Sequence, residues 1–377
     1  MKDKKQIWIV GGMIKGVGIS QYIFNTYKYM QNKHGENIQL TFINESGKHD
    51  YDKEFSDLGW KMVYISPWKE NPLLYFWQWF NLLRKNHKYI NIIHFHYDQL
   101  SKFWPFLVLK FYRVKNIIVH SHNSANSDMS KRKFMMLSHK LGKKILSNMK
   151  IYRLAVSTPA GKWLFDSSAF KIIKNGINTK KFRFDEEKRG DLRKRFDINN
   201  DTYVFGNIGR FKEQKNHRFL IELFKKVLEV YPESKLVLVG IGPLEEEIKR
   251  YTSELGIQKS ILFVGLRDNI PDFLSMFDML LFPSLYEGFP IALVEAQANG
   301  APIVYSNTIT NEIEITNEIV SAKLNDKNDW LNKIKCRIEK KSNFNKRKSD
   351  YKVVKEAGYD IGSESEKLYD FYVNLIG

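Results

Sequence analysis

Short apolar runs recur along this chain at helix-length intervals, and that alternation constrains its fold more than any single motif. Residues 6–10 (QIWIV), 38–43, 61–65, 91–95, 116–120 and 153–157 each read as a buried strand, and a stretch long enough for a helix separates each from the next. Strands that alternate with helices predict a parallel sheet covered on both faces, an α/β architecture. From Lys174 to Lys188 the segment KNGINTKKFRFDEEK loses periodicity, gains an Asn-Gly turn and switches from basic to acidic. A second alternating series then opens, with strands predicted at 203–208, 235–239, 261–264, 279–282 and 302–305 and helices between them. The 377 residues, 43% hydrophobic, are enough for two cores. The expected division is therefore 1–180 and 188–361, two doubly wound domains, with a last helix in 362–377 crossing back to the first. No short tandem repeat is visible.

Charge divides along the same line. Residues 1–184 hold 31 Lys and Arg against 11 Asp and Glu, a net +20, whereas residues 185–377 hold 29 against 31, a net −2. The first half is thus expected to meet something anionic. Within it, residues 71–83 (NPLLYFWQWFNLL) and 101–115 are rich in aromatics, and residues 129–153 carry eight Lys or Arg and no acid. Phe134, Leu137, Leu141, Ile145 and Met149 recur at helical spacing there, a stripe expected to pack on the sheet while the lysines face outward. An anionic membrane surface met by Trp77, Trp79, Lys131, Arg132, Lys133, Lys143 and Lys144 is the expected contact. No apolar run reaches the ~20 residues of a spanning helix. One cysteine excludes an internal disulfide, and the first ten residues enter a strand without a signal-peptide pattern, so the expected location is cytoplasmic, with peripheral membrane contact. The contrasting reading is a basic nucleic-acid-binding or scaffold protein with a vestigial second domain. No nucleic-acid motif accompanies the charge, and nucleic acid is not an expected partner.

The chemistry concentrates in residues 282–304, FPSLYEGFPIALVEAQANGAPIV. Gly288 and Pro290 mark a loop feeding a helix whose first turn holds Pro290, so unpaired backbone N–H groups face an anionic ligand. Glu287 and Glu295 lie eight positions apart across that loop and should reach different parts of one ligand. Near the N-terminus a glycine loop at 11–18 permits close approach of a ligand but is no G-x-G-x-x-G, which disfavours a nicotinamide cofactor. Two His-x-His pairs, His94 and His96, then His120 and His122, end predicted strands; each could offer two imidazoles to a metal or, in a hydrolase, activate water. The carboxylate or cysteine partners of such a centre are missing nearby, so no metal is expected. Asp50-Tyr51-Asp52 spells a D-x-D triplet but sits in a polar run that reads as a solvated loop.

Several motifs stand in the order of a known family. GNIGRFKEQKNH (206–217), LVLVGIGPLEEEI (236–248), residues 261–304 and the glycine loop at 11–18 resemble retaining glycosyltransferases of the GT-B fold, glycosyltransferase family 4 (group 1), including bacterial exopolysaccharide and capsule enzymes. The resemblance is dense in the second half and thin in the first. It implies two Rossmann-like domains facing across a cleft, the first taking an acceptor and the second a nucleotide sugar. By it, Arg210 and Lys215 contact the donor diphosphate, Glu295 the ribose, and Glu287 the donor sugar. Backbone at Gly288, Phe289, Ile291 and Ala292 flanks the donor beside Pro290, with Gly16, Gly18, Gly240 and Arg267 completing the donor site. His122 is the site histidine of the first domain. The reaction implied is metal-independent transfer of a hexose or N-acetylhexosamine with retention, UDP being the expected nucleotide. The expected acceptor is a saccharide, soluble or linked to polyprenyl diphosphate. No cofactor is expected.

Overall fold

The computed structural model describes residues 4–124, 133–166, 169–340 and 347–377. The chain forms two units, Met1–Gly176 with Ile361–Gly377, and Ile177–Asp360. The second unit thus begins earlier than the charge switch suggests. Ile177 N–H donates to Tyr359 O at 2.8 Å, and Thr179 is buried, so the segment after Gly176 is built into the second unit rather than serving as a linker.

In the first unit, β1 (Lys5–Gly11), β2 (Ile38–Asn44), β3 (Lys61–Tyr64), β4 (Ile92–Tyr97), β5 (Ile117–Ser121), β6 (Tyr152–Ala155) and β7 (Lys171–Ile172) form one sheet in the order β3-β2-β1-β4-β5-β6-β7. All pairs are parallel. The helix Ile361–Ile376 belongs to this unit. Tyr372 reaches Tyr27 on the helix Gly18–His34 (Oη–Oη 2.7 Å), and Tyr369 stacks on His34 with ring centroids 3.6 Å apart.

In the second unit, β8 (Tyr203–Ile208), β9 (Ser234–Val239), β10 (Ile261–Gly265), β11 (Met279–Phe282), β12 (Ile303–Ser306) and β13 (Ile319–Ala322) run in the order β10-β9-β8-β11-β12-β13. Numbered within each unit, both sheets share the order 3-2-1-4-5-6. That order reverses between the first and fourth strands, leaving a crevice outside their carboxyl ends where α/β sheets hold ligands. The short edge strands β7 and β13 escape the sequence pattern.

The second core is tied by buried charge. Asp278, at the foot of β11, accepts from Arg189 at 2.6 Å and Arg193 at 3.3 Å and also from Val204 N–H. Arg347 lies beside them, donating to Asn299 and to the carbonyls of Ser275 and Phe277. All four charged side chains are buried. Paired with each other and with carbonyls, they avoid the cost of isolated buried ions.

The membrane-surface expectation needs correction. Trp79 is fully buried, its Nε1–H donating to Glu45, a buried carboxylate that also accepts from Tyr75, Tyr97 and Lys102. Burying Glu45 obliges the fold to supply donors, and Trp79 is one. Lys143 is half-buried and bound to Asp166 and Trp163 O, so it is not a free surface cation. Lys131 and Arg132 lie outside the described residues. Trp77, Lys133 and Lys144 are exposed.

The basic helix, Lys133–Ser147, turns its expected stripe outward over its first half. Phe134 and Leu137 are 72% and 66% exposed, and Leu141 is exposed as well, while His139, Gly142 and Leu146 are buried. Gly142 explains the choice: a Cβ there would lie 2.2 Å from Leu100 O, so only glycine lets the helix approach this close. Leu100 N–H donates to His139 Nδ1 at 3.0 Å and fixes the same face.

Candidate functional site

In the second unit the switch point lies between β8 and β11. The loop after β8 carries Arg210 and Lys215, and the loop after β11 carries Glu287. A short helical turn, Glu213–Lys215, ends at Asn216 in the left-handed region (φ 54°), which asparagine tolerates better than most residues, and the helix His217–Val230 follows. His217 is buried and stacks on Phe211 with centroids 4.3 Å apart, which anchors the loop from below.

The two loops are joined to each other. Lys215 Nζ lies 2.7 Å from Glu287 Oε1 and 4.6 Å from the centre of the Phe282 ring. Gln214 adds bonds to Tyr286 O and Glu287 Oε2, and Leu285 N–H donates to Gln214 O. Lys215 is therefore held by a carboxylate at the mouth of the sheet. Arg210 is partly exposed, and among the described residues its guanidinium has no ion-pair or hydrogen-bond partner.

Gly240 supports this geometry from behind. Its φ of 143° and its position, where a Cβ would lie 2.1 Å from Gly209 O, leave only glycine to let the β9 loop sit beneath the Arg210 loop. Its N–H donates to Gly265 O at 2.9 Å. Arg267, just beyond Gly265, is partly buried, with Nε unpartnered.

The helix after β11 begins at Ile291, with Pro290 at its N-cap, one position later than the sequence pattern suggests. Its first turn leaves the N–H groups of Ile291 and Ala292 without intrahelical acceptors. Gly288 and Phe289 are buried, and the Phe289 ring stacks on Tyr359, centroids 5.1 Å apart, a support that sequence spacing does not reveal. Glu295 lies one turn further on. Part of its surface reaches solvent, yet its apolar surroundings push its carboxyl up to about 7, with Lys181 pulling it down. Lys181, on the turn Thr179–Phe182, was not visible as a site residue because 114 positions of chain separate it from Glu295.

The first unit holds the remaining expected residues. Gly16, in the loop after β1 with φ 74°, and Gly18, the first residue of the helix Gly18–His34, are both exposed. His122 lies just past β5, buried, its Nε2 2.9 Å from His96 Nδ1. His94 and His96 are wholly buried, as expected of core residues. Burial holds His94, His96 and His122 far below the ordinary imidazole range, with neighbouring imidazoles adding to the effect, and brings His120 down to about 3. All four are neutral at physiological pH. Asp52 is exposed and bound to His49 and Tyr64, but it opens the short helix Asp52–Asp57 with Tyr51 buried at its N-cap, so the triplet is not the solvated loop the polar run suggests.

Two parallel sheets of Rossmann order in one chain define the GT-B class, and the crystal structure of Anabaena HepE in complex with UDP-glucose shares that fold. Its TM-score is 0.79 over 98% of this chain and 99% of that one, at 15% identity. Residues 188–351 match the family model described as glycosyl transferases group 1. Glycosyltransferase EpsF of Bacillus subtilis is 29% identical over 83% of this chain and 81% of its own. The Escherichia coli UDP-Gal:α-D-GlcNAc-diphosphoundecaprenol α-1,3-galactosyltransferase is 30% identical over 56% of each chain. The group 1 glycosyltransferases are thus the family this chain resembles, by the family model over residues 188–351 and by EpsF over most of its length. Among the described residues, no helix is long and apolar enough to cross a membrane.

Proposed function

We propose that the second unit binds a UDP-linked sugar at its switch point and that the chain transfers the hexose or N-acetylhexosamine with retention. The observation that carries this reading is the convergence of Arg210, the Lys215–Glu287 pair and the free N–H groups of Ile291 and Ala292 at the carboxyl ends of β8 and β11. As the glycosidic bond breaks, negative charge grows on the departing diphosphate. Cations and helix N–H groups fixed beside it stabilise the transition state more than the ground state. Arg210 and Lys215 are assigned that role, which makes a metal at the diphosphate unnecessary. Glu287 orients Lys215 and faces the sugar, Glu295 accepts from the ribose hydroxyls, and backbone at Gly240 and the Arg267 turn borders the base. In the first unit, Gly16 and Gly18 follow β1 and His122 follows β5, at the carboxyl ends of that unit's own sheet. The departing diphosphate oxygen takes the acceptor proton in a front-face displacement.

The acceptor proposed is a saccharide on polyprenyl diphosphate in the synthesis of a bacterial cell-surface polysaccharide. The substrate named for the E. coli relative supports it. So does the outer face of the first unit, where Leu73, Trp77, Phe111, Phe134 and Leu137 are exposed beside Lys133, Lys140 and Lys144. Phe76 against Trp104 and Phe80 against Phe111 place the aromatic helices side by side. Apolar side chains ringed by lysines suit an anionic bilayer surface.

Incubation with UDP-glucose, UDP-galactose, UDP-N-acetylglucosamine, UDP-N-acetylgalactosamine and GDP-mannose tests the donor. Slow release of nucleotide from one of the UDP-sugars supports the reading; release from GDP-mannose alone, or from none, overturns it.

A further inference from the structure

Four imidazoles crowd one face of the first sheet. β4 and β5 are paired so that His96 lies opposite His120, and residues two apart on a strand share a face, so His94, His96, His120 and His122 all point the same way. Ring centroids are 4.1 Å apart for His94 and His96, 4.3 Å for His120 and His122, and 5.5 Å for His94 and His120. Tyr22 and Tyr27 from one helix and Tyr372 from another close over them.

Their hydrogen bonds do not add up. His94 Nδ1 is satisfied by Tyr372 Oη at 2.5 Å and Tyr27 Oη at 3.1 Å, and His96 by Tyr27 and His122. His94 Nε2 and both nitrogens of His120 make no hydrogen bond of ordinary geometry, although the Ile173 backbone lies close enough to favour the charged form of His120. Buried ring nitrogens left this way are costly, and native proteins nearly always give such groups a partner. One ring nitrogen each from His94, His96 and His120 lie within 4.8 Å of one another.

We propose that His94, His96 and His120 bind a divalent transition-metal ion that clasps β4 to β5. The donor set is three imidazoles, which suits zinc, copper, nickel or cobalt rather than magnesium or calcium. Tetrahedral zinc at ~2.0–2.1 Å from each nitrogen would bring the nitrogens to roughly 3.3 Å apart, a contraction that rotation of the rings can provide. Tyr372 and Tyr27 at His94 Nδ1 would act as outer partners, leaving the unpartnered Nε2 as the nitrogen to ligate. His96 exchanges one of its hydrogen bonds, to His122 or to Tyr27, for the ion. The role is structural, and all three ligands belong to the first unit.

The test uses the full chain without a polyhistidine tag, stripped with a chelator, incubated with Zn(II) or Co(II), and desalted. One equivalent should be retained by elemental analysis, with a higher thermal midpoint, and the Co(II) form should show the intense visible bands of a low-coordinate ion. His120→Asn and His94→Gln should each lower retained metal at least about tenfold, as loss of a ligand or its support does, while exposed His49→Gln keeps the full equivalent. Retention by the wild type of less than about a tenth of an equivalent, or only the weak bands of a water-ligated cobalt ion, overturns the proposal whether or not the variants fold; so does undiminished binding in His120→Asn.

Discussion

Lys215 and Glu287, 72 positions apart in the chain, meet at 2.7 Å where the loops after β8 and β11 converge. The pair holds a cation at the mouth of the sheet before any anion arrives. Lys215→Ala should lower turnover about 10²- to 10³-fold, the range seen when one donor to a developing oxyanion is removed. Glu287→Gln frees Lys215 from its anchor, and the double variant should lose less than the product of the two single losses, because the residues act as a unit. Initial rates with a saturating UDP-sugar check both statements; full activity in Lys215→Ala would remove it from the site.

Glu295 makes the site pH-sensitive. Its carboxyl is raised to about 7 from 4.5, so the folded chain holds a proton that the unfolded chain has lost. Its contribution to stability is thus fully present below pH 4.5 and declines as pH rises toward 7. Ribose hydroxyls donate best to the ionised form, so donor binding should strengthen as pH rises through about 7 and release a proton. Calorimetric titration of UDP in buffers of different ionisation enthalpy measures that proton. Glu295→Gln should abolish both effects, and unchanged proton release in that variant would contradict the assignment.

Asp278 is the counterion of two buried arginines. Asp278→Ala leaves Arg189 and Arg193 without it in the core of the second unit, and stability should fall by about 3–5 kcal/mol. Urea unfolding followed by tryptophan fluorescence reads the loss, and a change below about 1 kcal/mol would show that the network contributes little.

The outward stripe on the helix Lys133–Ser147 separates membrane contact from folding. Phe134→Ser with Leu137→Ser should weaken binding to vesicles containing anionic lipid while moving the thermal midpoint little, since both side chains are exposed. Leu146→Ala, on the buried face, should destabilise by about 2–5 kcal/mol. Equal binding of the double variant and the wild type would refute a membrane role for this face.

The contrast between the two faces marks what the sequence reveals. β8 and β11 coincide with their apolar runs to the residue, because buried parallel strands leave an uninterrupted pattern, and the loops carrying Arg210, Lys215 and Glu287 follow directly from them. Helical period alone does not say which of two apolar faces is buried; Gly142 against Leu100 decides it, through a contact 42 positions apart. Trp79 likewise reads as a surface aromatic until Glu45 is seen to require its N–H. The Lys181 influence on Glu295 and the stacking of Tyr359 on Phe289 are tertiary pairings that no local spacing encodes. The four imidazoles converge because β4 and β5 are neighbours, and the sheet order, rather than the His-x-His spacing, brings the two pairs together.

Hydrogen–deuterium exchange of the full chain with and without a UDP-sugar tests the central claim most directly. Protection should appear in residues 209–216 and 287–295, the two loops joined by Lys215 and Glu287. Protection confined to other parts of the chain, or none at saturating UDP-sugar, would contradict a donor site at the switch point between β8 and β11.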